Sequence, residues 1–98
     1  MKILITSASS ANAHQLKNKL SGNDIILGDY LELPDLMIKS GKMIRLPNPG
    51  SGSYAHQMLT LCLDNDIEKI YPLREEEAAL LKEAEQLFEE FNIEIIYK

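Results

Sequence analysis

The chain has 98 residues, 45% of them hydrophobic and 26% charged, and its formal net charge at pH 7 is −5. This length suits one domain with one modest core, so we treat residues 1–98 as a single domain. The acidic balance argues against nucleic-acid binding through a basic face, and no apolar run approaches the ~20 residues that a membrane span needs. The single cysteine, Cys62, cannot form a disulfide within the chain. This is typical of a reducing compartment and predicts a cytoplasmic protein.

Apolar runs alternate with amphipathic stretches along the whole chain, which predicts strands alternating with helices. In chain order the predicted elements are a strand at 2–6, a helix at 12–20, a strand at 25–27 stopped by Gly28 and Asp29, a short helix at 34–39, a strand at 43–46, a helix at 53–65, a strand at 67–71, a helix at 74–91 and a strand at 93–97.

Turn-forming residues mark several of the connections. Residues 7–11 are all serine or alanine, which is typical of a tight loop between a strand and a helix. Ser21, Gly22 and Asn23 are expected to end the first helix, since glycine suits the position after a helix C-terminus. Pro34 can open the short second helix, because proline is tolerated in a first helical turn.

The alternation of strands and helices indicates an α/β protein with a parallel sheet that is covered on both faces. Short, right-handed connections favour the strand order 3-2-1-4-5. We therefore predict a three-layer, Rossmann-like domain with a five-stranded parallel sheet.

The predicted topology also indicates where a ligand would bind. In an open parallel sheet, ligands lie beyond the carboxyl ends of the strands, where the winding direction reverses. That point lies between the first and fourth strands, so the loops at 7–12 and 72–76 should meet there, close to the end of the second strand. The predicted ligand-binding residues are Ser7, Ala8, Ser9, Ser10, Asp29, Tyr30, Pro72, Arg74, Glu75 and Glu76.

Two of these features have a second interpretation. The loop at 7–11 precedes a helix, so its free N–H groups can hold an anion, but small residues can equally serve only to allow a tight turn. The acidic run at 75–77 can face a ligand, or it can simply favour the positive end of a helix dipole.

Other chemistries are weakly supported by the sequence. Asp29 lies twenty residues after Ser9, near the spacing of a ribose-binding acid, but the loop has none of the glycines of a dinucleotide fingerprint. Cys62 falls on the apolar stripe of its helix and is interpreted as a core residue rather than a nucleophile. His14 and His56 belong to different helices and have no ligand partners at metal spacing, so we predict no metal site and no catalytic residue.

Three stretches together resemble a known family. They are residues 3–8 (Ile-Leu-Ile-Thr-Ser-Ala), 44–49 (Ile-Arg-Leu-Pro-Asn-Pro) and 70–76 (Ile-Tyr-Pro-Leu-Arg-Glu-Glu). They are similar to the first strand and turn, the strand ending in a Pro-x-Pro loop, and the strand ending in proline and paired glutamates of the pre-ATP-grasp domain. This domain is the N-terminal module of ATP-grasp ligases such as carbamoyl-phosphate synthase-like and carboxylate–amine ligase-like proteins. The order and spacing agree over nearly the whole chain.

The resemblance implies a role. In that family the domain packs against the ATP-grasp fold and helps wall the substrate site, so Glu75, Glu76 and the loop at 7–10 would face that cleft. The implied partner is an ATP-grasp domain or subunit. ATP and magnesium would bind to that partner, and no cofactor is expected for this chain. We therefore expect a stand-alone or truncated pre-ATP-grasp domain that binds a partner domain or a small carboxylate-type ligand without catalysis of its own.

Two alternatives stay open at this stage. The chain can be a small nucleotide-binding Rossmann-like protein. It can also be a non-enzymatic homodimeric interaction domain, because the strands at 43–46 and 93–97 are expected to be the sheet edges, and exposed edges invite pairing.

Overall fold

The computed structural model describes residues 2–20, 22 and 24–97. Ser21 and Asn23, which were predicted to help end the first helix, lie outside the described residues. In chain order the elements are β1 (Lys2–Ile5), α1 (Ala11–Lys19), β2 (Asp24–Asp29), α2 (Asp35–Lys39), β3 (Met43–Arg45), α3 (Tyr54–Asp64), β4 (Lys69–Tyr71), α4 (Glu75–Glu83), α5 (Glu85–Glu90) and β5 (Glu94–Ile95).

The five strands form one parallel sheet in the order β3-β2-β1-β4-β5, which confirms the predicted topology. The central strand β1 pairs with β2 on one side, where Leu4 lies opposite Ile26, and with β4 on the other side, where Leu4 lies opposite Ile70. The carboxyl ends of β1, β2 and β4 therefore lie side by side at one edge of the sheet. We call this edge, with the connections that follow these three strands, the carboxyl edge.

Helices cover both faces of the sheet, which confirms the three-layer arrangement. On one face, Leu4 and Ile70 pack in a buried cluster with residues of α3, α4 and α5, including Met58, Leu81 and Phe88. On the other face, residues of β1 and β2 pack in a second buried cluster with α1. The alternation of β1 side chains between these two clusters follows from the two-residue period of a strand.

The prediction that β2 stops at Gly28 and Asp29 is wrong, because both residues pair with β3, where they lie opposite Ile44 and Arg45. Gly28 does not reverse the chain here; it makes room for a neighbouring side chain to pack against the strand. A Cβ atom at this position would lie 2.8 Å from the side chain of Leu46, so only glycine lets that leucine pack directly against the strand.

The single helix predicted over 74–91 is in fact two helices, separated at Ala84. The N–H of Ala84 bonds to the carbonyl of Leu81, three residues earlier, so the backbone tightens there before α5 begins. The apolar periodicity runs unchanged through this point, and alanine is the best helix former, so no local signal marked the break.

The buried cluster under α4 generates a stability prediction. Leu81 is fully buried, and its replacement by alanine keeps helix propensity while leaving a cavity, so Leu81→Ala is expected to lower the free energy of unfolding by about 3 kcal/mol. Leu63→Ala is the control, because Leu63 is 45% exposed and should change stability by less than about 0.5 kcal/mol. Urea unfolding followed by circular dichroism measures both, and equal effects would contradict this account of the core.

Candidate functional site

The connections at the carboxyl edge meet as the topology predicted. The N–H of Thr6, just after β1, donates to the carbonyl of Tyr71 in β4 at 3.1 Å, and the N–H of Ala8 donates to the carbonyl of Gly28 in β2 at 3.0 Å. The backbone of the loop after β1 is thus bonded to both neighbouring strands.

A buried carboxylate lies at the centre of this edge. Asp29 is fully buried, and Arg74 at the start of α4 forms a two-pronged ion pair with it, with Nη1 donating to Oδ1 and Nη2 to Oδ2. Ser9 Oγ also donates to Oδ2 at 3.2 Å, and the N–H of Leu31 donates to Oδ1 at 3.2 Å. Each carboxylate oxygen therefore accepts two hydrogen bonds.

The hydrogen bonds to Asp29 decide its charge state. Burial by itself raises the pKa of Asp29, but the hydrogen bonds and positive charge of Arg74, helped by the Leu31 N–H and the Ser9 hydroxyl, outweigh this, and the net pKa lies below the ordinary value. Asp29 is thus ionised at neutral pH and neutralises Arg74.

The outer face of the ion pair is covered by an aromatic ring. The guanidinium carbon of Arg74 lies 4.7 Å from the ring centroid of Tyr30, a cation–π contact. The hydroxyl of Tyr30 donates to Glu76 Oε1 at 3.3 Å. One connected cluster is therefore formed by Asp29, Tyr30, Arg74 and Glu76. The sequence analysis expected these four residues to lie close to one another at this edge.

A second polar group lies beneath this cluster and was missed by the sequence analysis. Glu77 is fully buried, and its Oε1 accepts a hydrogen bond from the hydroxyl of Tyr54 at 2.9 Å. Its Oε2 has no hydrogen-bond partner within the described part of the chain. Thr6 is also buried, and its Oγ1 accepts the N–H of Leu73 at 2.8 Å.

Burial raises the pKa of Glu77, although the hydrogen bond from Tyr54, the positive charge of Arg74 and the hydroxyl of Thr6 oppose the shift. Burial and the neighbouring Glu77 likewise raise the pKa of Tyr54, so its hydroxyl stays protonated and acts as the donor. The carboxyl of Glu77 is therefore the group at this edge whose protonation the fold favours.

The other predicted site residues take different positions. Ser7, Ala8 and Pro72 are buried, whereas Glu75 is exposed on the first turn of α4. Ser10 caps α1, because its Oγ accepts the N–H of Ala13 at 3.2 Å. Ser7 has a φ of 60°, the left-handed conformation that reverses the chain between β1 and α1.

A periodic signal for Glu77 was present in the sequence. Glu77, Leu81, Ala84 and Phe88 recur at spacings of four, three and four residues, the period of one helix face. This spacing assigns Glu77 to the core-facing stripe of the helix and leaves Glu75 and Glu76 outside it.

A cleft of about 280 Å³ opens beside the carboxyl edge, between α1 and the turn that follows β4. It is lined by Asn12, Gln15, Leu16, Lys19, Pro72 and Leu73. Asn12 and Pro72 come from the two loops between which the sequence predicted a groove, whereas the serine residues of the first loop are not among these lining residues.

The cysteine and the two histidines, which were the other candidate reactive groups, lie in the core and on the surface respectively. Cys62 is fully buried, and burial raises the pKa of its thiol to about 12, so it is a core residue as predicted. His14 and His56 are exposed. Within the described residues, no group of three or more His, Cys, Asp or Glu side chains could hold a metal ion, and no helix combines the length and apolar character of a membrane span.

Fold and site together define a Rossmann-like domain with a polar cluster where the winding of its sheet reverses. The family described as PylC-like, N-terminal domain, matches residues 3–96. The chain therefore belongs to that family, which is a pre-ATP-grasp-type domain of ATP-grasp ligases. This confirms the resemblance drawn from the three sequence stretches. A comparison with curated proteins found no match.

The Glu77 carboxyl generates a pH prediction. Because its pKa in the folded state lies above the ordinary value near 4.5, the wild type should lose stability as the pH rises above that value, whereas Glu77→Gln should not. We therefore expect the variant to gain stability relative to the wild type between pH 4.5 and pH 8. Thermal unfolding at both pH values measures this. Glu76→Gln, at an exposed position, is the control, and an unchanged pH difference in Glu77→Gln would contradict the assignment.

The ion pair generates a second prediction at this site. Arg74→Met leaves Asp29 buried without its charge partner and should cost about 3 kcal/mol of unfolding free energy. Asp29→Asn combined with Arg74→Met should cost less than the sum of the two single changes by about 1–3 kcal/mol, because the single variants each leave a partner uncompensated. Urea unfolding of all four proteins completes the cycle. Additive losses would show that the two side chains do not act as a pair.

Proposed function

We propose that this chain is the non-catalytic N-terminal module of an ATP-grasp ligase system, which binds an ATP-grasp domain and forms one wall of that domain's substrate site. The observation that carries the proposal is the family match over residues 3–96, nearly the whole chain. ATP and magnesium belong to the partner in this proposal.

The hydrogen bonding of the carboxyl edge supports the proposal that this edge forms one side of the partner's substrate site. Hydrogen bonds among Asp29, Ser9 and Arg74, all of them half-buried, join the end of β2 to the connections after β1 and β4. A binding surface held in this way is ordered before its partner arrives, so less conformational entropy is lost on association. The exposed groups on it, Ser9, Glu75 and Glu76, are then available to a partner or substrate.

The charge of this edge bears on the kind of ligand. Arg74 is neutralised by Asp29, and Glu75 and Glu76 are exposed. The exposed charge next to the cluster is therefore negative, which disfavours the small carboxylate-type ligand expected from the sequence. For this reason the proposal assigns the edge to a protein partner first.

The nucleotide-binding alternative is less well supported. Free N–H groups in the loop before α1 would be needed to hold a phosphate. The N–H of Ala8 is bonded to Gly28, that of Ser10 to Ser7, and that of Ala13 to the Ser10 hydroxyl. These three donors are already used within the fold, so fewer N–H groups of this loop are left for an anion.

Two measurements test the proposal. Because the catalytic groups are assigned to the partner, the pure chain mixed with ATP and magnesium should release no phosphate above a blank. The ATP-grasp region encoded in the same reading frame or in an adjacent gene should bind the chain in calorimetry. Robust ATP turnover by the pure chain, or no binding to that region, would contradict the proposal, and micromolar binding of a dinucleotide would favour the nucleotide alternative.

A further inference from the structure

We propose that Glu77 and Asp29 compete for the guanidinium group of Arg74, and that the proton on Glu77 keeps Arg74 bonded to Asp29. Loss of this proton draws Arg74 toward Glu77 and weakens the hydrogen bonds that order the carboxyl edge, so the cluster acts as a pH-sensitive switch. The inference concerns the isolated chain and does not depend on the partner proposed above.

The first observation is that the fold satisfies only one oxygen of the Glu77 carboxyl. The side chain is fully buried, and its Oε1 accepts a hydrogen bond from the hydroxyl of Tyr54 at 2.9 Å. Its Oε2 has no hydrogen-bond partner within the described part of the chain. A buried charge without a complete set of hydrogen bonds is strongly unfavourable. The protonated form therefore suits this environment, and an ionised Glu77 needs a further donor.

The second observation is that a cation lies close to Glu77. Arg74 is the N-cap residue of α4, and Glu77 follows it by three residues, a spacing that brings side chains of one helical turn together. Burial raises the pKa of Glu77, and the charge of Arg74 opposes that shift. The bonds to Asp29 raise the pKa of Arg74, and the charge of Glu77 adds to this. A guanidinium has five N–H donors, and only two of them bond to Asp29.

The third observation is the charge balance of the buried cluster. Asp29 is fully buried, and the side chain of Arg74 is only 19% exposed. While Glu77 is protonated, the charges of this pair sum to zero. An ionised Glu77 sets a second carboxylate beside a single guanidinium, and the charge of Asp29 acts against it. Because a net buried charge is costly, the fold responds by sharing Arg74 between the two carboxylates, which weakens its bonds to Asp29.

The other groups that face Glu77 do not supply a competing charge. On α3, burial raises the pKa of the Tyr54 hydroxyl, and it raises the pKa of the Cys62 thiol to about 12, so both stay neutral at neutral pH. The hydroxyl of Thr6, on the connection after β1, also favours the ionised form of Glu77, but it carries no charge. Asp29 at the end of β2 is already ionised. The proton on Glu77 is therefore the one whose loss changes the charge of this cluster as the pH rises.

The first experiment follows the pure chain by NMR during a pH titration. In the wild type, the carboxyl carbon of Glu77 should titrate with a midpoint above its ordinary value near 4.5. The carboxyl carbon of Asp29 and the guanidinium Nε–H of Arg74 should shift with the same midpoint. In Glu77→Gln, both signals should stay constant over that range. A Glu77 that titrates while the other two signals do not respond, or an equal response in Glu77→Gln, would overturn the proposal.

The second experiment separates a change of partner from a simple effect of charge. Asp29→Asn should move the Glu77 midpoint to lower pH, because Arg74 is then free to pair with Glu77. Adding Arg74→Met should raise the midpoint more in the Asp29→Asn protein than in the wild type, since only the former has Arg74 bonded to Glu77. Equal rises would show that Arg74 does not change partners.

The control for the second experiment is Asp64→Asn. It makes the same chemical change at an exposed position at the C-terminal end of α3 and should leave the Glu77 midpoint unchanged. A shift as large as that in Asp29→Asn would contradict a specific competition for Arg74. Circular dichroism establishes that each variant is folded. The first experiment needs no Arg74 variant, so it decides the proposal even if Arg74→Met does not fold.

Discussion

The buried carboxylate of Asp29 is the constraint on which the carboxyl edge of this domain depends. An ionised side chain without contact to water is strongly unfavourable unless charge and hydrogen bonds compensate it. Arg74 supplies the charge, and Ser9 and the Leu31 N–H supply the remaining hydrogen bonds. These partners come from three separate connections, so satisfying one carboxylate fixes the relative positions of all of them.

The three consecutive glutamates in the first turn of α4 lie in different environments: one is buried in the core and two are exposed on the surface. Successive residues of a helix point about 100° apart. Glu77 therefore turns into the core and bonds to Tyr54, while Glu75 and Glu76 remain exposed. The same short segment thus contributes a buried protonatable group beneath the edge and two exposed negative charges on the first turn of α4. Membership in the PylC-like N-terminal domain family supplies the biological setting for such a surface.

Much of the fold was predictable because it depends on local patterns. Each buried strand is an apolar run, each helix has an apolar stripe, and short right-handed connections leave few ways to order the strands. The errors came where packing outweighed local preference. Gly28 resembles a strand terminator but gives room to Leu46, and Ala84 resembles a helix interior but lies at a break between two helices.

The sequence by itself determined the parallel sheet, its strand order, the buried role of Cys62 and the set of connections that meet at the carboxyl edge, because periodicity and connection length encode them. Only the tertiary structure decided that Arg74 pairs with Asp29, 45 residues earlier, and that Glu77 accepts its hydrogen bond from Tyr54, 23 residues earlier. Polar pairing over such distances depends on which side chains the packed layers bring together. No local pattern specifies this, since the same residues could be solvated singly if the elements packed at a different angle.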